Sequence, residues 1–221
     1  MATGVRSRFD EQLSRLTENV LRLGSLAREA VRRSVQALVT GDAELAREVI
    51  GSDAAINALR YEVEQECSFL LATEQPVARD MRVIVSALIV SSDLERIGDH
   101  GKKIAQAYLQ MLENPRPIPV TNIERMAAMA LAMLDRALGV YTTLDLDEAQ
   151  AICGADDEVD AFYKQTFNVI LSYMLENPRL IGPGTQLLQA AHELERVADR
   201  STNVAERVIY SVTGELQDLN A

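Results

Sequence analysis

Two short stretches of the chain carry a glutamate followed four residues later by an aspartate. They are DLERIGDH at residues 93–100, with Glu95 and Asp99, and ELERVADR at residues 193–200, with Glu195 and Asp199. On an α-helix this spacing places the two carboxylates on one face, one turn apart. Carboxylates so close together repel each other unless a cation neutralises them. The spacing therefore indicates a cation site, or a solvated face balanced by neighbouring arginines such as Arg96 and Arg196.

Two further oxygen-bearing pairs have the same spacing and precede the glutamate motifs. They are Asp53 with Asn57, and Asp156 with Asp160. If consecutive helices are antiparallel neighbours, the start of one helix lies near the end of the next. Each acidic motif would then meet one of these pairs, giving two clusters of four oxygen donors. Such oxygens suit Mg²⁺, Ca²⁺, Mn²⁺ or iron.

The elements that must position these residues are predicted to be helices. Apolar residues recur every three or four positions, and no segment alternates as a strand does. We predict an all-α fold of six long helices, with a Pro-rich linker at ENPRPIPVTN and a helix break at Gly182-Pro183-Gly184. The predicted helices cover residues 8–39, 43–71, 77–112, 123–141, 147–175 and 185–212.

The chain repeats itself. Residues 38–57 align with 141–160 at a constant offset of 103, and the third helices align at an offset of 100. This periodicity predicts a tandem repeat of two three-helix bundles related by a pseudo-twofold axis. We assign residues 1–113 to the first repeat, 114–122 to the linker and 123–216 to the second repeat.

Composition excludes several classes of function. The net charge of −11 disfavours nucleic-acid binding. The longest apolar stretch, residues 83–92, is too short to cross a membrane, and the N-terminal residues do not resemble a signal peptide, so we expect a cytoplasmic protein without membrane insertion. Residues 117–221 carry 7 basic and 16 acidic groups, against 15 and 17 in the first half, so cation binding is expected in the second half.

No motif of a known catalytic centre is present. The sequence contains no Gly-rich phosphate loop, no nucleophile elbow and no cysteine–histidine dyad, and neither histidine completes the Glu-x-x-His pattern of di-iron bundles. His192 stands one turn before Glu195 and is a possible further ligand, although an exposed or capping role is the favoured reading for both His192 and His100. We therefore expect a protein that is not an enzyme.

The two stretches QPVARDMRVIVSALIVSSDLERIGDHGKKIA and ELERVADRSTNVAERVIYSVTGEL resemble the two halves of a PhoU-family protein. The resemblance implies a cytoplasmic, often dimeric regulator of phosphate uptake without catalytic activity. Members of the family restrain a sensor histidine kinase and modulate a phosphate ABC transporter with its ATPase. Some of them bind metal, which implies a divalent ion (Mg, Mn, Fe or Zn) in this chain. The residues carried over are Asp53, Glu95 and Asp99 in the first repeat, and Asp156, Asp160, Glu195 and Asp199 in the second.

The first repeat departs from this pattern. Asn57 stands where the second repeat has Asp160, and Lys102 and Lys103 stand where the second repeat has Thr202 and Asn203. We therefore expect the first cluster to bind metal more weakly than the second. Two alternatives to the regulator stay open at this point. One is a metal-storing helical bundle or metal-dependent enzyme, and the other is a structural module whose carboxylates only balance arginines.

Overall fold

The computed structural model describes residues 2–113 and 118–215, with side chains from residue 8 onwards. Within these ranges the chain forms six α-helices and no strand, so the all-α prediction is confirmed. A 3₁₀ turn at Pro178–Leu180 leads into the last helix. The helices are α1 (Ala2–Thr40), α2 (Ala43–Glu74), α3 (Arg79–Met111), α4 (Thr121–Thr143), α5 (Leu146–Glu176) and α6 (Ile181–Thr213).

The starts of α2 and α5, the second helix of each repeat, follow local sequence signals. The side chain of Asp42 caps α2 by accepting a hydrogen bond from the backbone N–H of Leu45 at 3.0 Å. Asp145, its repeat equivalent, caps α5 in the same way. Gly41 lies in the left-handed region with φ of 74°, where a residue without a Cβ turns the chain at little cost. These caps fix the start of the helices that carry Asp53 and Asp156.

The predicted break at Gly182-Pro183-Gly184 is wrong, because α6 begins at Ile181 and includes all three residues. Proline is tolerated in the first turn of a helix, where its missing N–H has no intrahelical partner. Gly184 is buried against α5, and a Cβ there would come within 2.7 Å of the Met174 side chain. The glycine therefore serves packing rather than termination. At the linker, Thr121 and Asn122 already belong to α4, and residues 114–117 and 216 lie outside the described ranges.

The six helices form two bundles that share one interface. Helices α1 to α3 pack on one another, as do α4 to α6, and each third helix also packs against the other along the centre of the molecule. Helix α1 contacts α4 as well, so the two bundles meet through equivalent helices, as a pseudo-twofold arrangement requires. The tandem repeat of three-helix bundles is thus confirmed. None of the helices in the described ranges is long and apolar enough to cross a membrane.

Two contacts between an acid and a basic residue at repeat-equivalent positions cross the interface between α3 and α6, and we call them the seam pairs. The Arg200 guanidinium donates from Nη1 to Asp93 Oδ1 at 2.8 Å, and His100 Nδ1 lies 2.6 Å from Glu193 Oε2. Positions 93 and 193, and likewise 100 and 200, are repeat equivalents, so the two pairs are related by the pseudo-twofold axis. His100 is only 6% exposed, and the expectation that it is exposed or caps a helix is wrong.

Each acid of the seam pairs is surrounded by donors from the opposite bundle. Lys103 Nζ lies 3.5 Å from Glu193 Oε2, and its repeat equivalent Asn203 lies 3.5 Å from Asp93 Oδ1. Burial acts to raise the pKa of Glu193, but the hydrogen bond and charge of His100, together with the charge of Lys103, hold that pKa below its ordinary value. A buried carboxylate without such partners would cost several kcal/mol.

Helices α1 and α3 approach each other closely at Gly101. A Cβ at this position would lie 2.8 Å from the backbone carbon of Ala30 and 2.8 Å from the backbone nitrogen of Val31. Backbone atoms of a packed helix cannot move aside as a flexible side chain can. Gly51 offers a contrast, because it also lies inside a helix but a Cβ there would meet no atom within 4 Å.

We predict that Gly101→Ala lowers the free energy of unfolding by about 1–3 kcal/mol, because the added methyl forces α1 and α3 apart. The control Gly51→Ala should instead raise it by up to about 1 kcal/mol, since alanine has the higher helix propensity and space is available. Urea unfolding followed by circular dichroism measures both changes. Equal stability of the Gly101→Ala variant and the unmodified chain would contradict the close approach.

Candidate metal centre

Four carboxylates converge between α5 and α6, and we call them the second cluster: Asp156, Asp160, Glu195 and Asp199. One oxygen each from Asp160, Glu195 and Asp199 lies within 4.8 Å of the other two. Asp156 precedes Asp160 by one turn of α5 and lines the same cavity. In the described part of the chain this is the one place where three or more acidic, histidine or cysteine side chains come together in this way.

The second cluster faces an open cavity of about 380 Å³. The remaining lining side chains are Arg196, Arg200 and Asn203, all from α6. Arg196 Nη1 donates to Asp199 Oδ2 at 3.1 Å, while Arg200 is held by Asp93 across the interface between the bundles. Both arginines therefore lie beside the second cluster, and Arg200 also connects this part of α6 to the first bundle through Asp93.

The carboxylates of the second cluster are under-neutralised. Burial, followed by the charges of Asp199 and Asp160, raises the pKa of Asp156 to about 6 and that of Glu195 to about 7. Burial also raises the pKa of Asp199, and Arg196 offsets this only in part. Asp156 Oδ1 and Glu195 Oε2 are buried and accept no hydrogen bond from the described residues. Closely spaced oxygens with free lone pairs and excess negative charge are the donor set that a hard divalent cation requires.

His192 lies at the edge of this arrangement. Its Nδ1 is 3.3 Å from Glu195 Oε2, and its side chain is about half exposed. Its ring lies 6.2 Å from the ring of Tyr163 on α5. A neutral imidazole at this place can offer a nitrogen ligand beside the carboxylates. The role of His192 as a further metal ligand therefore stays a prediction.

The equivalent residues of the first repeat also come together, between α2 and α3, and we call them the first cluster: Asp53, Asn57, Glu95 and Asp99. Lys102 Nζ lies 2.7 Å from Asp53 Oδ2, and Asn57 Nδ2 donates to the same oxygen at 3.1 Å. Burial and then the charge of Asp99 raise the pKa of Glu95, while Arg60 and Arg96 act in the opposite direction. The first cluster thus has a lysine at the position where the second repeat has Thr202. Among the described residues, the lysine and arginine side chains that contact the second cluster are Arg196, at Asp199, and the largely exposed Lys164, whose Nζ lies 3.8 Å from Asp160 Oδ2.

All eight predicted donors lie on the helices and faces expected from their spacing, four in each repeat. The seam pairs were not predicted from the sequence, although a signal for them is present. Each of the two motifs begins with an acid and ends with a basic residue, Asp93 and His100 in one, Glu193 and Arg200 in the other. Residues seven apart lie on one helix face, so a helix that packs against its repeat equivalent can pair the first residue of one motif with the last of the other.

We predict that the metal-free chain becomes more stable as the pH falls from 8 towards 5. A carboxyl group whose pKa is higher in the folded than in the unfolded chain binds its proton more tightly when folded. For Glu195 and Asp156 this gain begins near pH 7 and 6 and is complete near their ordinary values of about 4. Well above pH 7 both carboxyl groups are ionised in the folded and in the unfolded chain, and the full loss of stability is reached.

Unfolding free energies measured in the presence of a chelator at pH 5, 6, 7 and 8 test this prediction. Asp199→Asn removes the neighbouring charge that raises both pKa values, so its stability should rise less between pH 8 and 5. Glu158→Gln, an exposed acid on the same helix, should keep the full dependence. Parallel pH profiles for the unmodified chain and Asp199→Asn would contradict the coupling.

Comparison with known proteins places this geometry in a family. A family model described as the PhoU domain matches residues 20–108 and again 123–208. The "Phosphate-specific transport system accessory protein PhoU homolog" of Rhizobium meliloti (strain 1021) is 36% identical, over 95% of this chain and 89% of that protein. The protein of the same name from Caulobacter vibrioides (strain NA1000 / CB15N) is 38% identical, over 94% of this chain and 90% of its own length.

Solved structures agree with the sequence relatives. The "phosphate transport system regulatory protein PhoU from Streptococcus pneumoniae" superposes with a TM-score of 0.89 at 35% identity, covering 95% of this chain and 99% of that one. PhoU from Pseudomonas aeruginosa also gives a TM-score of 0.89, at 33% identity over 94% and 100% of the two chains. Each of the two three-helix repeats matches the PhoU domain, and the chain belongs to the PhoU family.

Proposed function

We propose that this chain is a non-enzymatic negative regulator of phosphate uptake and of phosphate-starvation signalling. The observation that supports this best is the match of both repeats to the PhoU domain, with relatives named as accessory proteins of the phosphate-specific transport system. In this role it acts in the cytoplasm between the ATPase of a phosphate ABC transporter and a sensor histidine kinase, which it restrains when phosphate is plentiful. Dimerisation belongs to the same proposal.

The second cluster is proposed to bind a divalent metal, Mg, Mn, Fe or Zn. Three carboxylate oxygens within 4.8 Å of one another fit a single ion, and Asp156 adds a fourth donor one turn away. The raised pKa values of Asp156 and Glu195 indicate that the folded chain holds negative charge at a cost. A bound cation would remove that cost and join α5 to α6. The stability of the second bundle, and of surfaces that partners recognise, would then depend on the ion.

The open cavity supports an adaptor role for this metal. An ion held on one side by carboxylates keeps coordination positions for water, a phosphate oxygen or a partner's carboxylate. Arg196 and Arg200 line the same cavity and can attract an anion to it. One group of three acids in the described residues fits a single centre better than the many sites of a metal store.

We predict that the second cluster carries the measurable metal affinity. Isothermal titration with Mn²⁺ should give one equivalent for the unmodified chain, and Asp199→Asn should weaken binding by at least about tenfold, as loss of a ligand requires. Asp99→Asn, its repeat equivalent, should leave the affinity unchanged, and so should the exposed-site control Glu158→Gln. A larger loss in Asp99→Asn than in Asp199→Asn would contradict this assignment.

We predict that deleting the gene induces phosphate-starvation transcription even at high phosphate, because the restraint on the kinase is lost. Reporter expression and uptake of labelled phosphate measure the effect, and expression of the unmodified chain should restore repression. Unchanged reporter expression in the deletion strain would contradict the proposed function. Complementation by an Asp156→Asn/Asp199→Asn variant, with its abundance checked by immunoblot, separates the metal from the regulation. Full repression by that variant would show that regulation does not need the second cluster.

A further inference from the structure

The two clusters are equivalent in their acids but not in their cations. Asp53, Glu95 and Asp99 correspond to Asp156, Glu195 and Asp199, so the three acids that the repeats share stand at matching helix positions. The residue three positions after the last acid differs. It is Lys102 in the first repeat and Thr202, which is fully buried, in the second.

Lys102 reaches into the first cluster, although its side chain is 30% exposed. Its ammonium lies 2.7 Å from Asp53 Oδ2, and the Asp53 side chain is 14% exposed. Asn57 Nδ2 donates a hydrogen bond to the same oxygen at 3.1 Å, so Asp53 Oδ2 already accepts from two donors. The hydrogen bond and charge of Asp53, and the charges of Asp99 and Glu95, raise the pKa of Lys102, so the ammonium interacts with all three acids of the cluster.

The other cations near the first cluster differ from Lys102 in what they contact. Arg60 lies on α2 near Glu95 and acts to lower its pKa, whereas the second repeat has the uncharged Tyr163 at the equivalent position. Lys103 carries the same charge as Lys102 but turns away, because its ammonium approaches Glu193 across the interface. Of the two adjacent lysines, only Lys102 therefore serves the first cluster.

We propose that the ammonium of Lys102 occupies the place of a metal ion in the first cluster, so that this chain takes metal at the second cluster alone. The part of this inference that concerns the second cluster rests on the metal role proposed above. The part that concerns the first cluster stands on its own geometry. A primary ammonium supplies one positive charge and three donors to a cluster that has one amide in place of a carboxylate. The first cluster thus holds a lysine counter-charge within the chain at all times, whereas a divalent charge at the second cluster must come from a bound ion.

The test replaces Lys102 by the residue of the second repeat. Mn²⁺ titrations use the full chain with Asp199→Asn, which silences the second cluster, and compare it with the same chain carrying Lys102→Thr. We expect one new equivalent of Mn²⁺ with Lys102→Thr, bound at least tenfold more tightly than any residual binding, and its loss when Asp99→Asn is added. Lys103→Asn, which also removes one charge and also restores the second-repeat residue, should produce no new equivalent.

A second measurement covers the possibility that the threonine variant folds poorly. Lys102→Gln keeps the length of the side chain and removes its charge, and Lys102→Arg keeps the charge. Both variants are made in the chain that carries Asp199→Asn, so that Mn²⁺ at the second cluster does not contribute. In a chelator, Lys102→Gln should melt at a lower temperature than the Asp199→Asn chain and recover with excess Mn²⁺, whereas Lys102→Arg should show no Mn²⁺-dependent rise. The proposal is overturned if neither Lys102→Thr nor Lys102→Gln gains Mn²⁺, or if Lys103→Asn gains it equally.

These outcomes are separate from those of the proposed function. The unmodified chain is expected to bind one equivalent of Mn²⁺, and its loss in the Asp199→Asn variant tests the metal role of the second cluster. Gain of an equivalent on changing Lys102 tests the first. A chain that binds no Mn²⁺ until Lys102 is replaced would therefore refute the metal role of the second cluster and support the assignment of Lys102.

Discussion

The packing of α3 against α6 is the constraint on which the rest of the structure depends. Both helices lie in the core of their own bundle and also against each other. The same eight-residue motifs supply both contacts, because their first and last residues form the seam pairs and their inner acids form the clusters. A shift of one helix along the other would separate Arg200 from Asp93 and would change the cavity that Arg200 lines. The geometry of the second cluster is therefore tied to the way in which the bundles meet.

Features set by spacing along one chain segment were predictable from the sequence, and features set by distant partners were not. Periodicity and the repeat predicted six helices and brought Asp53 to Glu95 and Asp156 to Glu195, because antiparallel neighbours leave few arrangements. The burial of His100 depends on Glu193, which is 93 residues away along the chain. Helix α6 begins at Ile181 and includes Gly-Pro-Gly, and Gly184 there packs against Met174 of α5, a partner that the local sequence does not reveal. The opposite directions of Lys102 and Lys103 likewise follow from acids on two different helices.

The charge of the molecule is distributed unequally between the two repeats. The second half carries 16 acidic against 7 basic residues, and burial together with the charges of neighbouring acids raises the pKa values of Asp156 and Glu195. In the first half Lys102, Arg60 and Arg96 stand close to the equivalent acids. The excess charge of the second half is thus concentrated where it can attract a ligand, whereas the first half holds its charges in internal pairs.

In symmetry terms the chain is an isologous dimer of repeats within one polypeptide. Each seam pair takes its acid from one repeat and its base from the other, as a twofold interface between identical subunits would. A true homodimer must carry the same residue at both equivalent positions. A fused pair is free of that restriction, so it can place histidine at one end of the interface and arginine at the other, or lysine in one cluster and threonine in its counterpart. Fusion thus permits a twofold-symmetric scaffold to hold two chemically different sites.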